Sequence, residues 1–307
     1  MIFDMETIEN VLRNKWGVED VKPFGSIGGG DICEGQGYEI SNGERIYVKT
    51  ASNCSLKKTE DMFKGEYESL KAINISNTVK VPKPLFVWGK SALVTEYLDI
   101  KSLSSKHSAT FGHELARQMS HPFMEKVLLR NHLAISQFGF HIPTCCGRIP
   151  QPNQWMDNWI EFFCQQKLQP QLHLIESSYG DREALQLWSE LQLKISKYFQ
   201  GLSITPSLIH GDLWSGNVGE TQDKPVVFDP SCFYGHSEFE FGIATIFPSR
   251  AFNGSFYTSY HKLVPKSKGF NERQKLYQLF HYLNHWNHFG HGYRGSCISI
   301  MKDLVSD

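Results

Sequence analysis

Apolar residues recur at two different periods in the N-terminal third of the chain. Across residues 6–16 they follow helical spacing, which predicts a short helix. From Val21 to Ile40 the pattern changes to a strand, a glycine-rich turn and a second strand. The Asn42-Gly43 pair then predicts a tight hairpin into a third strand over residues 45–49. We therefore expect the chain to begin with one short helix and a set of short antiparallel strands.

A longer helix is predicted over residues 58–73, with two further strands after it. Apolar residues mark one face of this helix, and Glu66 falls on that inward face. The strands are predicted over residues 85–88 and 92–97. Between them, Gly89-Lys90-Ser91 resembles the end of a phosphate-binding Walker A loop. The glycine required five positions earlier is a proline, so a hairpin turn is the better interpretation.

The remaining two thirds of the chain carry mainly helical patterns. These occupy residues 110–135, where the phase is unclear, and residues 153–168, 181–200 and 272–289. The last pattern ends in a cluster of Asn and His over residues 284–290, which can line a polar pocket. The expected fold class is α+β, with a small antiparallel-sheet lobe over residues 1–97 and a mainly helical lobe over residues 98–307.

Composition and charge argue against several classes of function. The 307 residues carry 31 Lys and Arg against 32 Asp and Glu, so no basic surface for nucleic acid is indicated. No apolar run approaches the roughly 20 residues that span a bilayer. Residues 1–6 lack the basic region and apolar core of a secretory signal. Seven cysteines without zinc-type spacing favour a reducing compartment, so the expected location is cytoplasmic.

The strongest chemical signal is the stretch His210–Asn217, with Asp229 just behind it. An Asp, an Asn five residues on and a second Asp after an apolar run match the order in which protein kinases place a base and two metal ligands. On this pattern Asp212 would accept the proton of an attacking hydroxyl. Asn217 and Asp229 would hold Mg²⁺ against the phosphates of ATP. A hairpin through residues 220–224 would bring the three side chains together; two short strands with surface aspartates are the simpler alternative.

Other residues fit the nucleotide side of such a site. Lys49 ends an apolar strand where kinases place the lysine that pairs the α- and β-phosphates, and Glu66 is its predicted ion-pair partner. The glycine-rich turn lets backbone N–H groups approach phosphates, although it does not follow G-x-G-x-x-G spacing. Backbone groups at the end of the fifth strand would bind adenine. The predicted contacts are Gly28, Gly29 and Gly30 in the turn and Glu96, Tyr97 and Leu98 in the later segment.

With these features the chain resembles the fructosamine-3-kinase/ketosamine-3-kinase family, in its animal branch. The most specific stretches are His210–Asn217, Phe228–Glu240 and Tyr282–Gly290, supported by Met62–Glu66. They distinguish this family from aminoglycoside and choline kinases, which share the HGD-x₄-N core. The resemblance covers about residues 20–295. It implies a protein-kinase-like bilobal fold, with ATP and Mg²⁺ as cofactors.

The resemblance also implies a reaction. In this family the γ-phosphoryl group goes to the O3 hydroxyl of a ketosamine: a fructosamine, ribulosamine or psicosamine. The 3-phosphate then eliminates and frees the amine, so the implied role is protein deglycation. The implied partners are ATP and ketosamine adducts, either on lysines of glycated proteins or as small molecules, with no nucleic acid or membrane. The chain would be a monomer or a redox-linked dimer. The preferred ketosamine, and the paralogue, stay open.

Four residues are candidates for contact with the sugar. Trp214 in the catalytic loop can offer a flat face to it, with core packing as the alternative. His288 lies on the last predicted helix, and His236 and Glu238 follow the second metal-binding aspartate. Glu238 or Glu240 can equally be a structural carboxylate at a helix start.

Two features depart from the family pattern, and a third separates the family from protein kinases. Many relatives carry a cysteine in the glycine-rich loop where this chain has Asp31; Cys33 could replace it as a redox switch if its thiol is accessible. Residues 113–137 look shortened. As across the family it resembles, Asp229-Pro230-Ser231 stands in place of the Asp-Phe-Gly of protein kinases, so activation-loop behaviour is not expected.

Three other functions remain as alternatives. A small-molecule alcohol kinase of the choline or aminoglycoside type shares the same core. A non-catalytic nucleotide-binding pseudokinase is disfavoured because the set of lysine, glutamate, two aspartates and asparagine is intact. A protein Ser/Thr kinase is disfavoured because no Ala-Pro-Glu segment is present.

Overall fold

The computed structural model describes residues 7–27, 33–51, 56–120, 124, 135–247 and 249–306. The first element is helix α1 (Ile8–Trp16). The Thr7 hydroxyl accepts a hydrogen bond from the Asn10 N–H at its start, and Gly17 ends it in a left-handed conformation. The short N-terminal helix predicted from apolar spacing is confirmed.

A five-stranded antiparallel sheet follows this helix. Its strands, in the spatial order β1-β2-β3-β5-β4, are β1 (Val21–Ile27), β2 (Cys33–Ile40), β3 (Arg45–Ala51), β4 (Pro84–Trp88) and β5 (Ala92–Glu96). Gly43 adopts a φ of 83° in the β2–β3 turn, as the predicted hairpin requires. Ile46 and Val48 of β3 pack with Leu12 of α1 in a small core. Because side chains alternate along a strand, Lys49 lies on the other face of the sheet.

Helix α2 (Leu56–Ser76) packs against that other face. It extends the predicted helix at both ends, and Phe63, Leu70 and Ile73 join the larger core of the molecule. Gly65 allows close packing, because a Cβ there would lie 2.9 Å from the Pro143 carbonyl oxygen. The helix is thereby fixed between the sheet and the part of the chain that carries the predicted catalytic residues.

The C-terminal part is mainly helical, as expected. Its α-helices are α3 (Ser105–Met119), α4 (Trp159–Phe162), α5 (Gln169–Tyr179), α6 (Arg182–Lys194), α7 (Phe241–Ile246), α8 (Gly254–His261), α9 (Phe270–Phe289) and α10 (Arg294–Ser306). A π-helical turn, Phe163–Leu168, joins α4 to α5. The 3₁₀ turns are Ile195–Phe199, Ser215–Asn217, Ser237–Glu240 and His291–Tyr293. The α+β class is confirmed, while the lobe boundary at residue 97 stays a prediction.

Short strands connect these helices. They are β6 (Lys101–Ser102), β7 (Thr144–Cys146), β8 (Ile149–Gln151), β9 (Ser207–Ile209), β10 (Val218–Glu220), β11 (Pro225–Val227) and β12 (Phe233–Gly235). The β10–β11 hairpin is the one predicted through residues 220–224. Glu220 attaches it to the start of α3, because its Oε2 accepts hydrogen bonds from the N–H (2.9 Å) and the hydroxyl (2.8 Å) of Ser104.

Two predicted helices differ in extent. The helix predicted over residues 153–168 begins only at Trp159, because the Asn158 side chain accepts from the Ile160 and Glu161 N–H groups and caps it there. Trp155 therefore precedes the helix. The unphased pattern over residues 110–135 contains the end of α3, and much of the apparently shortened segment 113–137 lies outside the described residues. Within the described ranges, no helix combines the length and hydropathy needed to cross a membrane.

Candidate active site

The predicted catalytic loop begins at the end of β9 with a buried histidine. His210 Nδ1 accepts a hydrogen bond from the Asp212 N–H (3.3 Å), so its Nε2 carries the proton and donates to the Phe228 carbonyl oxygen (2.9 Å). Burial lowers the pKa of His210 to about 4, which keeps the ring neutral near pH 7. The imidazole therefore connects the loop that carries Asp212 to the strand end that carries Asp229.

Glu240 fixes the backbone of the same loop from the opposite side. Its two carboxylate oxygens accept hydrogen bonds from the N–H groups of His210 (2.6 Å) and Gly211 (3.1 Å). Burial raises the pKa of Glu240 to about 8 against the opposing effect of these two donors. Gly211 has a φ of 82°, and a Cβ there would lie 2.3 Å from the Ser231 carbonyl oxygen, so no other residue fits. These contacts agree with the structural role considered for Glu240.

Asp212 and Asn217 lie side by side at the end of the loop. The Asn217 Nδ2 donates to the Asp212 backbone oxygen (2.9 Å) and to Asp212 Oδ2 (3.3 Å). Asn217 Oδ1 is then the atom of this amide that could serve as a metal ligand. Burial raises the pKa of Asp212 to about 7, and the charge of Asp229 adds to the effect. A carboxylate with a pKa near neutrality can both accept and release a proton, as a general base requires.

Lys49 lies between two carboxylates, one of which is its predicted partner Glu66. Its Nζ is 2.7 Å from Glu66 Oε2 and 2.9 Å from Asp229 Oδ1. Burial acts to lower the pKa of Lys49, but Asp229 and Glu66 together raise it, so the ammonium stays charged. Burial also acts to raise the pKa of Asp229, which Lys49 nevertheless holds below its ordinary value. Asp229 adopts a φ of 55°, a strained conformation for a residue with a side chain.

A single cleft of about 850 Å³ contains most of the predicted site. Its size is within the range of small-molecule sites. The predicted residues that line it are Lys49, Glu66, Glu96, Tyr97, Leu98, Asp212, Trp214, Asn217, Asp229 and His288. Gly28, Gly29 and Gly30 lie outside the described residues. The structure thus brings together the predicted base, metal ligands and lysine–glutamate pair, and their roles stay predictions.

The residue types in this cleft fit magnesium and a nucleotide. The predicted metal ligands Asn217 and Asp229 offer oxygen atoms of the kind that hard Mg²⁺ prefers. Lys49 offers a cationic donor next to them, as phosphates require.

The backbone at the expected adenine position is partly occupied. The Glu96 N–H donates to the Lys83 carbonyl oxygen (2.9 Å), and the Tyr97 N–H donates to the Arg45 carbonyl oxygen (3.1 Å). For Leu98 no such backbone partner is found among the described residues. The donor available to a nucleotide base is therefore the Leu98 N–H, with the carbonyl groups of this segment as acceptors.

His288 lines the cleft, but both of its ring nitrogens are used within the protein. Nε2 accepts from the Arg148 N–H (2.9 Å) and Nδ1 donates to the Asn284 carbonyl oxygen (2.8 Å). Burial lowers the pKa of His288, in keeping with a neutral ring. Any contact of His288 with a substrate is consequently through the ring surface, since no ring nitrogen remains to bond it.

Trp214 belongs to an aromatic wall on the same side of the cleft. Its ring lies 5.8 Å from that of Phe247, which lies 5.4 Å from His285. Phe289 and Tyr293 continue the wall, at 5.6 Å and 5.1 Å from His285. The predicted polar pocket of the Asn and His cluster is confirmed in part, since Asn284, His285 and His288 all line the cleft. Phe247 and Tyr293 carried no recognisable signal in the sequence.

His236 and Glu238 do not line this cleft, so the prediction that they contact the sugar does not fit their placement. Glu238 accepts two hydrogen bonds from the Arg273 guanidinium (2.7 and 2.8 Å). Glu238, Arg273 and His236 are all buried. His236 Nδ1 lies 2.6 Å from the Tyr277 hydroxyl, and burial lowers the pKa of His236 to about 3. These side chains hold the Ser237–Glu240 turn against α9, which indirectly positions Glu240.

The expectation of an accessible thiol at Cys33 is wrong. Cys33 begins β2 and is only 7 % exposed, and it packs in the larger core with Met62. The sequence could not reveal this because the burial depends on α2, which lies across the sheet at that point.

Comparison with known proteins agrees with the geometry. The model of the fructosamine kinase family matches residues 4–307. The chain is 47 % identical to the ketosamine-3-kinase of Mus musculus, over 97 % of this chain and 99 % of the mouse protein. A crystal structure of a Thermobifida fusca protein superposes with a TM-score of 0.80 at 22 % identity, covering 99 % of this chain and 100 % of the other.

A more distant structure identifies the wider fold class. An aminoglycoside phosphotransferase in ternary complex with AMP-PNP and hygromycin B superposes with a TM-score of 0.57 at 16 % identity, covering 97 % of this chain and 98 % of the other. The protein-kinase-like fold expected from the sequence is confirmed. With a match over nearly its whole length, the chain belongs to the fructosamine kinase family.

Proposed function

We propose that this protein is an ATP-dependent kinase that phosphorylates the O3 hydroxyl of ketosamines. The observation that carries the proposal is the convergence of Asp212, Asn217 and Asp229 with the Lys49–Glu66 pair in one cleft. Phosphoryl transfer needs positioning and charge neutralisation more than covalent chemistry, and these residues supply both. The name of the mouse relative, a ketosamine-3-kinase, supports the substrate class.

Each residue has a distinct task in this mechanism. Lys49, held by Glu66, would bind the phosphates of ATP. Asn217 and Asp229 would hold Mg²⁺, which when bound neutralises the charge of the phosphates. Asp212 would orient the sugar hydroxyl and accept its proton, and its raised pKa of about 7 suits that task. Glu240 and His210 keep Asp212 in place through the backbone.

The aromatic wall favours a sugar-derived amine as the acceptor. A flat ring such as Trp214 can pack on the apolar face of a sugar, and aromatic faces also attract a protonated amine. Phe289 is 54 % exposed at the rim of the wall. A lysine side chain that carries the sugar could reach the cleft from that rim. We therefore propose that protein-bound ketosamines are substrates, that the unstable 3-phosphate releases the lysine, and that this deglycation takes place in the cytoplasm.

A substrate panel tests the proposal. ATP consumption in the presence of Mg²⁺ would be compared for fructoselysine, ribuloselysine and simple alcohols such as choline and an aminoglycoside. We expect turnover with one or both ketosamines and none with the alcohols. Asp212→Asn is the control for contaminating kinases. Turnover of the alcohols alone would favour the small-molecule alcohol kinase instead.

A further inference from the structure

Two further potential metal ligands lie beside the carboxylate of Asp212, the proposed base. The Cys146 sulfur, an Asp212 carboxylate oxygen and a His281 ring nitrogen all lie within 4.8 Å of one another. They come from strand β7, the catalytic loop and helix α9, so only the folded chain brings them together. The Cys146 thiol donates a hydrogen bond to the Asp212 carboxylate, which links the cluster to the proposed base.

His281 is the unusual member of this cluster. It is 1 % exposed, and neither ring nitrogen has a hydrogen-bond partner within the part of the chain that the structure describes. Buried polar atoms are nearly always paired, so an imidazole with two unpaired nitrogens needs an explanation. Burial lowers the pKa of His281, which leaves the ring in the neutral form that binds metals.

We propose that Cys146, His281 and Asp212 form an inhibitory binding site for Zn²⁺. Thiolate, imidazole and carboxylate are the three ligand types that Zn²⁺ takes in proteins, whereas Mg²⁺ takes oxygen ligands. Cys146 and Asp212 both line the cleft, so the ion would enter there and keep its fourth position open to water or a phosphate oxygen. The site differs from the Mg²⁺ position in its ligands and in its metal preference.

Binding changes both the thiol and the base. The S–H bond of Cys146 breaks, its proton passes to solvent, and the sulfur bonds to Zn²⁺, because a bound metal deprotonates a coordinating thiol. The Asp212 carboxylate is then a zinc ligand and no longer accepts the proton of a hydroxyl. Zinc binding needs no assumption about the substrate; only the inhibition rests on the proposed function.

Metal binding is tested first on the protein alone, without ATP or ketosamine. Co²⁺, a spectroscopic substitute for Zn²⁺, is expected to give a thiolate charge-transfer band in the near ultraviolet, and a competing chelator then gives the Zn²⁺ affinity. Cys146→Ser and His281→Asn should each weaken Zn²⁺ binding by about 100-fold or more, because even the hydrogen-bond partners of metal ligands change affinity by about 10- to 100-fold. Cys164→Ser, a half-buried thiol outside the cleft, should bind like the wild type.

Inhibition is tested second, as the ratio of rates with and without Zn²⁺ at saturating Mg²⁺ and ATP. The wild type and Cys164→Ser should lose activity in Zn²⁺ and recover it with a chelator. Cys146→Ser and His281→Asn should have nearly the same rate with and without Zn²⁺. Circular dichroism shows whether each variant is folded. Absence of the Co²⁺ band in the wild type, or unchanged Zn²⁺ affinity in both folded ligand variants, would overturn the proposal. A band that depends on Cys146 in a protein without ketosamine activity would uphold the site and reject the proposed function.

Discussion

Asp212→Asn is expected to stabilise the folded protein at pH 8 while it removes most of the activity. Burial raises the pKa of Asp212 from 3.8 to about 7. The folded state therefore binds this proton more tightly than the unfolded state does. Below about pH 4 the carboxyl is protonated in both states, so its raised pKa does not lower the free energy of unfolding. As the pH rises from about 4 to about 7, ionisation of the buried group lowers that free energy progressively.

The size of this effect follows from the two pKa values. The difference between 3.8 and about 7 corresponds to at most about 4 kcal/mol of unfolding free energy above pH 7. Water in the cleft screens part of it, so we expect Asp212→Asn to gain about 1–3 kcal/mol at pH 8. At pH 5 the gain should be smaller by about 1–2 kcal/mol, since the wild-type carboxyl is then protonated in the folded state.

Urea unfolding at the two pH values measures this difference directly. Asp223→Asn is the control, because Asp223 lies exposed in the β10–β11 turn and its removal should leave the free energy of unfolding unchanged at both pH values. Turnover by Asp212→Asn should fall on the order of 10²- to 10⁴-fold, the usual range for loss of a general base, with ATP affinity retained. Equal stability changes at pH 5 and pH 8, or full turnover, would refute the reasoning.

The remaining predictions concern the residues around the base. At pH 5, where Glu240 is protonated in the folded state, Glu240→Gln should lower the free energy of unfolding in urea by about 1–3 kcal/mol, because one buried N–H would face an amide donor. The exposed Glu272→Gln should leave it unchanged, and an equal loss in both would contradict the role of Glu240. Lys49→Met should lower kcat and weaken ATP binding in a nucleotide titration, and unaltered ATP affinity would argue against a phosphate contact. Glu238→Gln should destabilise the protein through its lost ion pair with Arg273 and leave the KM for the ketosamine unchanged; a raised KM in the folded variant would restore Glu238 as a substrate contact.

The parts of the fold and site that the sequence predicted depend on local spacing. The lysine–glutamate pair was predictable because strand alternation and helix periodicity place Lys49 and Glu66 on facing surfaces. The β10–β11 hairpin was predictable because a short polar turn separates two apolar runs, which brings Asn217 and Asp229 to the same end. Neither inference needs knowledge of distant parts of the chain.

The parts that could not be predicted depend on distant contacts. The sequence predicted that Glu238 contacts the sugar. In the structure Arg273, 35 residues further along the chain, pairs with it in the interior instead. The N–H groups of Glu96 and Tyr97 are used by Lys83 and Arg45, which only the backbone contacts of the folded sheet reveal. The position of Cys146 beside Asp212 likewise depends on how β7 packs against α2 and the catalytic loop.

Phosphorus NMR of the reaction with ATP, Mg²⁺ and each of fructoselysine and ribuloselysine tests the central claim most directly, on whichever ketosamine is turned over. We expect the signals of ATP to give way to those of ADP together with a new phosphomonoester signal. That signal should couple to the proton on C3 of the sugar, and free lysine should accumulate as it decays. Asp212→Asn should show neither change. A phosphomonoester at another hydroxyl, or ADP formation at an equal rate in Asp212→Asn, would contradict a kinase that uses Asp212 to activate O3 of a ketosamine.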